Sequence, residues 1–178
     1  MDVTPFVIRD ARGDELDAVA EVMVAAYEEY IPPDATGELL AYREDIRDVR
    51  SRRAHAALIV ATERERILGA VTYYPDGSRE GRAGWPREWA VIRLLAVHPE
   101  ARGRGVGRAL TAECIRRARA GGSTAVGLHT TKFMAVAQAM YERMGFVRVP
   151  AYDFRPSPWL HVMAYRLDLQ AEGRAPSC

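Results

Sequence analysis

The sequence predicts an α+β fold, with helices and strands interleaved in one α/β domain over residues 1–169, and three observations carry that expectation. The stretch EWAVIRLLAV (88–97) is apolar at nearly every position, as a strand buried on both faces is. Segments of helical and strand period alternate after it, which predicts a β-α-β-α-β core. Ahead of it lie two amphipathic helices and an apolar hairpin. A length of 178 residues suits one domain with its own core.

Residues 3–9 (VTPFVIR) read as a short edge strand, because Pro5 removes a ladder donor. Asp14 is the expected cap of a helix reaching about Tyr30, with Leu16, Val19, Met23, Ala26, Tyr27 and Tyr30 as its apolar stripe. The segment IPPD (31–34) stops it. A second helix over 38–50 places Leu39, Tyr42, Ile46 and Val49 on one face. The runs ALIVAT (57–62) and ILGAVTYY (67–74), separated by charged residues, form the predicted hairpin. The Gly/Pro-rich loop 75–87 exceeds the usual connection length, so it is either a lid or an insertion.

After strand 88–97 and the segment HPEARGRGVG, a helix over 106–120 carries Val106, Leu110, Cys114 and Ala118 in i, i+4 register. Gly121 and Gly122 end it. A strand at 125–130, a helix over 134–144 ending at Gly145, a short strand at 146–149 and a long alternating strand at 159–169 complete the domain. Residues 170–178 have no core-building pattern and read as a frayed tail.

Composition removes several function classes. Hydrophobic residues are 48% and charged residues 28%, the balance of a globular protein. No apolar run approaches the ~20 residues that span a bilayer, and the N-terminal residues lack a signal-peptide pattern, so the expected location is cytoplasmic with no membrane partner. Two cysteines and four scattered histidines offer neither a disulfide framework nor ligand spacing for a metal. A net charge of +1 disfavours nucleic acid as a partner. That charge is unevenly spread. Residues 1–50 hold 13 acids against 5 arginines, and the remainder is correspondingly basic. Solvated helix faces would account for this, as would an anion site in the second part.

The chemistry-bearing segment is LLAVHPEARGRGVGRAL (94–110). It orders a buried strand, a turn, a glycine-rich loop and an amphipathic helix. Gly103, Gly105 and Gly107 let backbone N–H groups turn inward, and the helix adds its own orphan N–H groups and positive dipole end. Such a loop binds phosphate oxygens from the backbone. Arg102, Arg104 and Arg108 add positive charge. A Rossmann fingerprint needs glycine where Arg108 stands, and no Gly-Lys-Ser/Thr of a Walker loop occurs.

What remains, Arg102-x-x-Gly105-x-Gly107, resembles the pyrophosphate loop of the GNAT superfamily of acyl-CoA-dependent N-acetyltransferases. The segment AVAQAMYERMGFVRV (135–149) is similar to a second signature of that superfamily through Ala137, Tyr141, Glu142, Gly145 and Phe146. The resemblance implies a mixed, splayed sheet of six or seven strands flanked by about four helices. It implies acetyl-CoA as co-substrate, with the pantetheine arm along Leu95, Ala96 and Val97. The pyrophosphate would lie on Arg102, Gly103, Arg104, Gly105, Val106, Gly107 and Arg108. Tyr141 matches the usual general acid, and homodimers are common, with strand 159–169 a candidate contributor.

That chemistry is sound on its own terms. An alkylammonium of pKa ~10.4 must lose a proton before it attacks a thioester, and a phenol of pKa ~10 can protonate the departing thiolate. Two positions depart from the family pattern. Met134 stands where an asparagine often begins the last helix, and Val91 where a glutamate base sits on the central strand. The base is therefore open among Glu88, His129 and water. The acceptor implied is an amine of a small molecule or peptide, and the acidic, aromatic Tyr27-Glu28-Glu29-Tyr30 leans toward a cationic one. A silent acyl-CoA-binding module and a transferase of longer acyl groups are the rival readings.

Overall fold

The computed structural model describes residues 6–31 and 34–169. Pro5, the Pro32-Pro33 pair and the expected tail at 170–178 lie outside the described residues. Among the described residues there are eight strands: β1 (Val7–Asp10), β2 (Ala57–Glu63), β3 (Arg66–Tyr74), β4 (Trp89–Val97), β5 (Ala125–Thr131), β6 (Val147–Arg148), β7 (Phe154–Ser157) and β8 (Leu160–Asp168). The helices are α1 (Leu16–Tyr27), α2 (Gly37–Arg47), α3 (Val49–Arg52), α4 (Val106–Ala120) and α5 (Ala135–Arg143). The strand order is β1-β2-β3-β4-β5-β8-β6, with β7 on β8, so β1 is an edge and β4 is central as expected. The sheet exceeds the expected six or seven strands because β7, unmarked in the sequence by any alternation, pairs with β8.

The chain divides into two compact units. One runs through Tyr73 and resumes over Ile92–Cys114; the other comprises Tyr74–Val91 and the residues from Ile115 onward. In the first, β1, β2 and β3 form an antiparallel meander in which Ile59 pairs with Asp10 on one side and with Val71 on the other. Its core holds Val19 and Met23 of α1, Ile46 of α2, Val49 of α3, Ile59, Val60 and Val71 of the strands, and Leu110 of α4.

Two helix boundaries differ from expectation. Asp14 does not cap α1. A 3-10 turn, Gly13–Glu15, precedes the helix, and the Glu15 carboxylate accepts the Arg12 N–H at 2.7 Å. Arg9 grips the same carboxylate through both guanidinium nitrogens at 2.6 and 2.7 Å. That pairing holds the Glu15 carboxyl at about 2, well below its ordinary value. The helix expected over 38–50 breaks at Asp48, whose ψ of 65° leaves the helical region. Its carboxylate accepts the Ser51 N–H and so starts α3. Competition between a local cap and the continuing helix decides this break.

In the second unit, β8 pairs antiparallel with β5 along one edge and with β6 and β7 along the other. Its burial does not alternate cleanly, since the adjacent Ala164 and Tyr165 are both buried. The long loop 75–87 is anchored rather than free. Trp85 is 2% exposed and stacks on Tyr152 at 4.8 Å. A Cβ on Gly127 would meet the Trp85 ring at 2.9 Å, so glycine makes room for the indole over β5. Helix α5 ends at Gly145, whose φ of 92° supplies the left-handed exit.

Candidate functional site

Strand β4 is fully buried over Trp89–Ile92, but Arg93, Leu95 and Val97 are half-buried, so its C-terminal half is closed on one face only. The change coincides with Leu94, a bulky residue at φ 53° inside a strand. That conformation costs roughly 1–2 kcal/mol and is the mark of a bulge. It is held by a buried side chain and by neighbours such as the Tyr27 hydroxyl, which donates to the Leu95 carbonyl at 3.4 Å. Nothing in the residue type announces it.

The chain then turns at His98. Its N–H donates to the Leu68 carbonyl at 2.8 Å, and its Nδ1 accepts the Glu100 N–H at 3.3 Å. After the 3-10 turn Pro99–Ala101, Gly103 and Gly105 take φ of 76° and 79°. A Cβ at either would meet no heavy atom within 4 Å, so these glycines serve backbone conformation at an open surface. Gly107 differs. It lies in the first turn of α4, where its carbonyl accepts the Thr111 hydroxyl at 2.9 Å. Open left-handed glycines ahead of a helix N-terminus suit a diphosphate, whose oxygens can reach the unengaged N–H groups.

The strand end and the helix start are drawn together by a glycine that sequence reasoning missed. A Cβ on Gly69 of β3 would lie 2.7 Å from the Ala96 carbonyl oxygen and 2.9 Å from Val106 Cγ1. The only available signal was a glycine inside an otherwise branched strand.

The loop arginines are not equally available. Arg102 donates to Glu29 at 2.8 Å and to the Ala26 carbonyl at 3.2 Å. Arg104 pairs with Glu63 at 2.6 Å, and that pairing pulls the Glu63 carboxyl below its usual range. Arg108 is exposed and has no ion pair among the described residues. Leu95, Ala96, Val97 and residues 102–108 thus form one continuous segment of the first unit.

Tyr141 belongs to the second unit. On α5 it alone is buried, with its ring edge-on to Phe146 at 5.7 Å. Ala137, Met140 and Met144 are half-buried. Glu142 has a defined duty: its carboxylate accepts the hydroxyl of buried Tyr165 at 3.0 Å, and Gln138 donates to the same hydroxyl at 2.6 Å. These bonds pin α5 to β8. At the start of α5, Met134 provides no side-chain cap.

The two base candidates contrast. Glu88 is exposed at the β4 end, with its backbone carbonyl accepting the Thr124 N–H. His129 of β5 is half-buried among Trp85 at 4.7 Å and Phe154 at 5.0 Å. Its Nε2–H donates to the Tyr152 carbonyl at 2.9 Å. Burial pushes its pKa below the ordinary histidine value, against smaller opposing effects of that hydrogen bond and of Glu80 and Asp153. Asp153 is itself held well below the carboxylate range, first by Arg148, then by the Ala164 N–H and His161. Among the described residues no three His, Cys, Asp or Glu side chains group to hold a metal ion, and no helix is long and apolar enough to cross a membrane.

Comparison with known proteins bears on the family and the fold. The family described as Acetyltransferase (GNAT) matches residues 17–146. A mycothiol acetyltransferase from Cellulomonas flavigena is 34% identical over 107 residues, which covers 57% of this chain and 31% of that protein. The match therefore spans less than a third of that relative's length. Among solved structures, a ribosomal-protein-alanine N-acetyltransferase from Brucella melitensis has a TM-score of 0.65 at 23% identity, covering 92% of this chain and 99% of its own. Salmonella typhimurium yncA, solved with its cofactor acetyl-CoA, has a TM-score of 0.65 at 19% identity, covering 97% and 99%. At such identities the likeness is one of fold.

Proposed function

We propose, on the premise that this chain belongs to the acetyltransferase (GNAT) family, that it moves an acetyl group from acetyl-CoA directly onto a primary amine of a small molecule or peptide. The observation that supports this reading best is the open turn at Gly103 and Gly105, poised ahead of the α4 N-terminus. Bound acetyl-CoA would supply an acyl carbon activated as a thioester. The backbone N–H groups of residues 103–108 would hold its diphosphate, and Arg108 would add a cation with no ion pair among the described residues. Leu95, Ala96 and Val97 offer backbone groups to the pantetheine arm. The Tyr141 phenol gives its proton to the departing sulfur, as a general acid does. Transfer is direct, since the one described cysteine, Cys114, is buried and offers no accessible nucleophile.

The acceptor reading rests on Tyr27, Tyr30 and Tyr42, whose rings meet edge to face at 6.3 and 6.4 Å beside Glu28 and Glu29. Aromatic faces and carboxylates favour a cation. Glu29 already pairs with Arg102, so its contribution to that preference is partial.

The test is turnover followed by release of free thiol, with acetyl-CoA and a panel holding polyamines, arylalkylamines, peptide α-amines and the acceptor of the mycothiol enzyme. Acetylation of at least one amine is expected. Tight CoA binding with no turnover of any amine would instead favour a silent acyl-CoA-binding module. Faster transfer from a longer acyl-CoA would reassign the donor.

A further inference from the structure

We propose that the C-terminal end of α1 is a seat for a non-reacting cation of the acceptor, that Arg102 fills this seat in the structure, and that a bound diphosphate opens it by drawing Arg102 away. The acceptor is then a diamine or a longer polyamine. This deepens the acetyl-transfer reading and rests on it.

The seat lies wholly within the first unit and already holds a cation. The Arg102 guanidinium donates to the Ala26 carbonyl at 3.2 Å and to the Glu29 carboxylate at 2.8 Å. Ala26 supplies one of the last four carbonyls of α1, which find no partner inside a helix, and the negative end of the helix dipole adds to them. The Tyr30 hydroxyl donates to Glu29, and partial burial followed by the Glu29 charge raises its pKa above the ordinary phenol value. That side of the seat therefore stays neutral. A carbonyl, a carboxylate and neighbouring aromatic rings suit an ammonium as well as a guanidinium. Tyr27, edge-on to Tyr30 at 6.3 Å, donates its hydroxyl to the Leu95 carbonyl at 3.4 Å. One side chain thus links the seat to the strand end proposed for the pantetheine arm.

Two features make the seat exchangeable. The Arg102 and Glu29 side chains are 46% and 48% exposed, and an ion pair so solvated is weak. Arg102 also directly precedes Gly103, the first glycine of the open turn proposed to hold the diphosphate. A diphosphate there offers the same guanidinium a strong charged partner. Arg102 gives up one contact as it gains another, so the exchange adds little to CoA affinity while it empties the seat.

Chemistry decides which nitrogen enters. A carboxylate beside an ammonium favours its charged form, and a charged nitrogen has no lone pair for the acyl carbon. The nitrogen seated on Glu29 therefore anchors, and a second nitrogen of the same molecule reacts. A monoamine gains nothing from the seat.

The test is calorimetry with putrescine and with n-butylamine, each titrated with and without saturating CoA, so that no turnover intervenes. The wild type should bind putrescine about five- to tenfold more tightly once CoA is present, and saturating putrescine should tighten CoA by the same factor. Butylamine should show no such gain. Glu29→Gln should abolish the gain, which also excludes ion pairing of diamine with CoA in solution as its source. Arg102→Ala should bind putrescine without CoA as tightly as the wild type does with it. Loss of a merely structural ion pair would not raise an affinity. Thermal melts check that both variants are folded, and the wild-type comparison of the two amines needs neither. No coupling in the wild type, equal coupling for butylamine, coupling retained in Glu29→Gln, or no gain in Arg102→Ala overturns the seat. Acetylation of amines without this coupling overturns the seat alone, and coupling without acetylation of any amine overturns the transfer reading alone.

Discussion

Tyr141 carries the sharpest expectation at the scale of single residues. Its ring packs against Phe146, so Tyr141→Phe leaves that contact in place and removes one hydroxyl. As general acid, the hydroxyl should be worth about 10²–10⁴-fold in kcat, measured where chemistry limits the rate. Stability should fall by no more than one hydrogen bond, ~1 kcal/mol, which thermal melts will read. A loss of two- or threefold in kcat would reduce Tyr141 to packing. The loop arginines give a second contrast. Arg104 is tied to Glu63 and Arg102 to Glu29, whereas Arg108 is unpaired among the described residues. Arg108→Ala should therefore weaken CoA binding by about tenfold, the worth of one charged contact, and Arg104→Ala by clearly less. Calorimetry on the two variants orders them directly.

Among elements, the junction of β3, β4 and α4 depends on one missing methyl. Gly69→Ala would place carbon 2.7 Å from the Ala96 carbonyl oxygen, a backbone atom that gives way poorly, and 2.9 Å from Val106 Cγ1. A loss of about 1–3 kcal/mol in stability is expected, with weaker CoA binding because Ala96 and Val106 both move. Melting and calorimetry on one sample test both halves. Helix α4 itself was readable beforehand, since Val106, Leu110, Cys114 and Ala118 recur at helical spacing and are all buried. The β2–β3 hairpin and the Gly145 stop were equally plain. Other features answer to contacts remote in sequence and left no local trace. Leu94 takes a positive φ because its surroundings impose it, Trp85 is buried because Gly127 leaves space for it, and the arginine pairs need Glu29 and Glu63 brought near. Local competition explains the remaining differences, as where Asp48 caps α3 and so cuts short the longer helix.

For the molecule as a whole, an acidic first segment and a basic remainder nearly cancel, leaving +1. The ion pairs show where part of that asymmetry goes. Glu29 and Glu63 of the acidic and hairpin regions neutralise Arg102 and Arg104 beside the glycine loop. On the proposed reading, diphosphate affinity comes mainly from backbone N–H groups and Arg108 rather than from bulk positive charge. That claim is tested most directly by calorimetry of CoA binding to the wild type and to Gly105→Glu. A side chain at Gly105 meets open space but is strained by its φ of 79°, costing roughly 1–2 kcal/mol that melting will register while the fold persists. The added carboxylate stands where a diphosphate would approach the backbone, and the two negative groups repel. Tight binding by the wild type and none by the folded variant is the predicted result. Equal affinities in the two proteins would contradict it and remove this loop from the site.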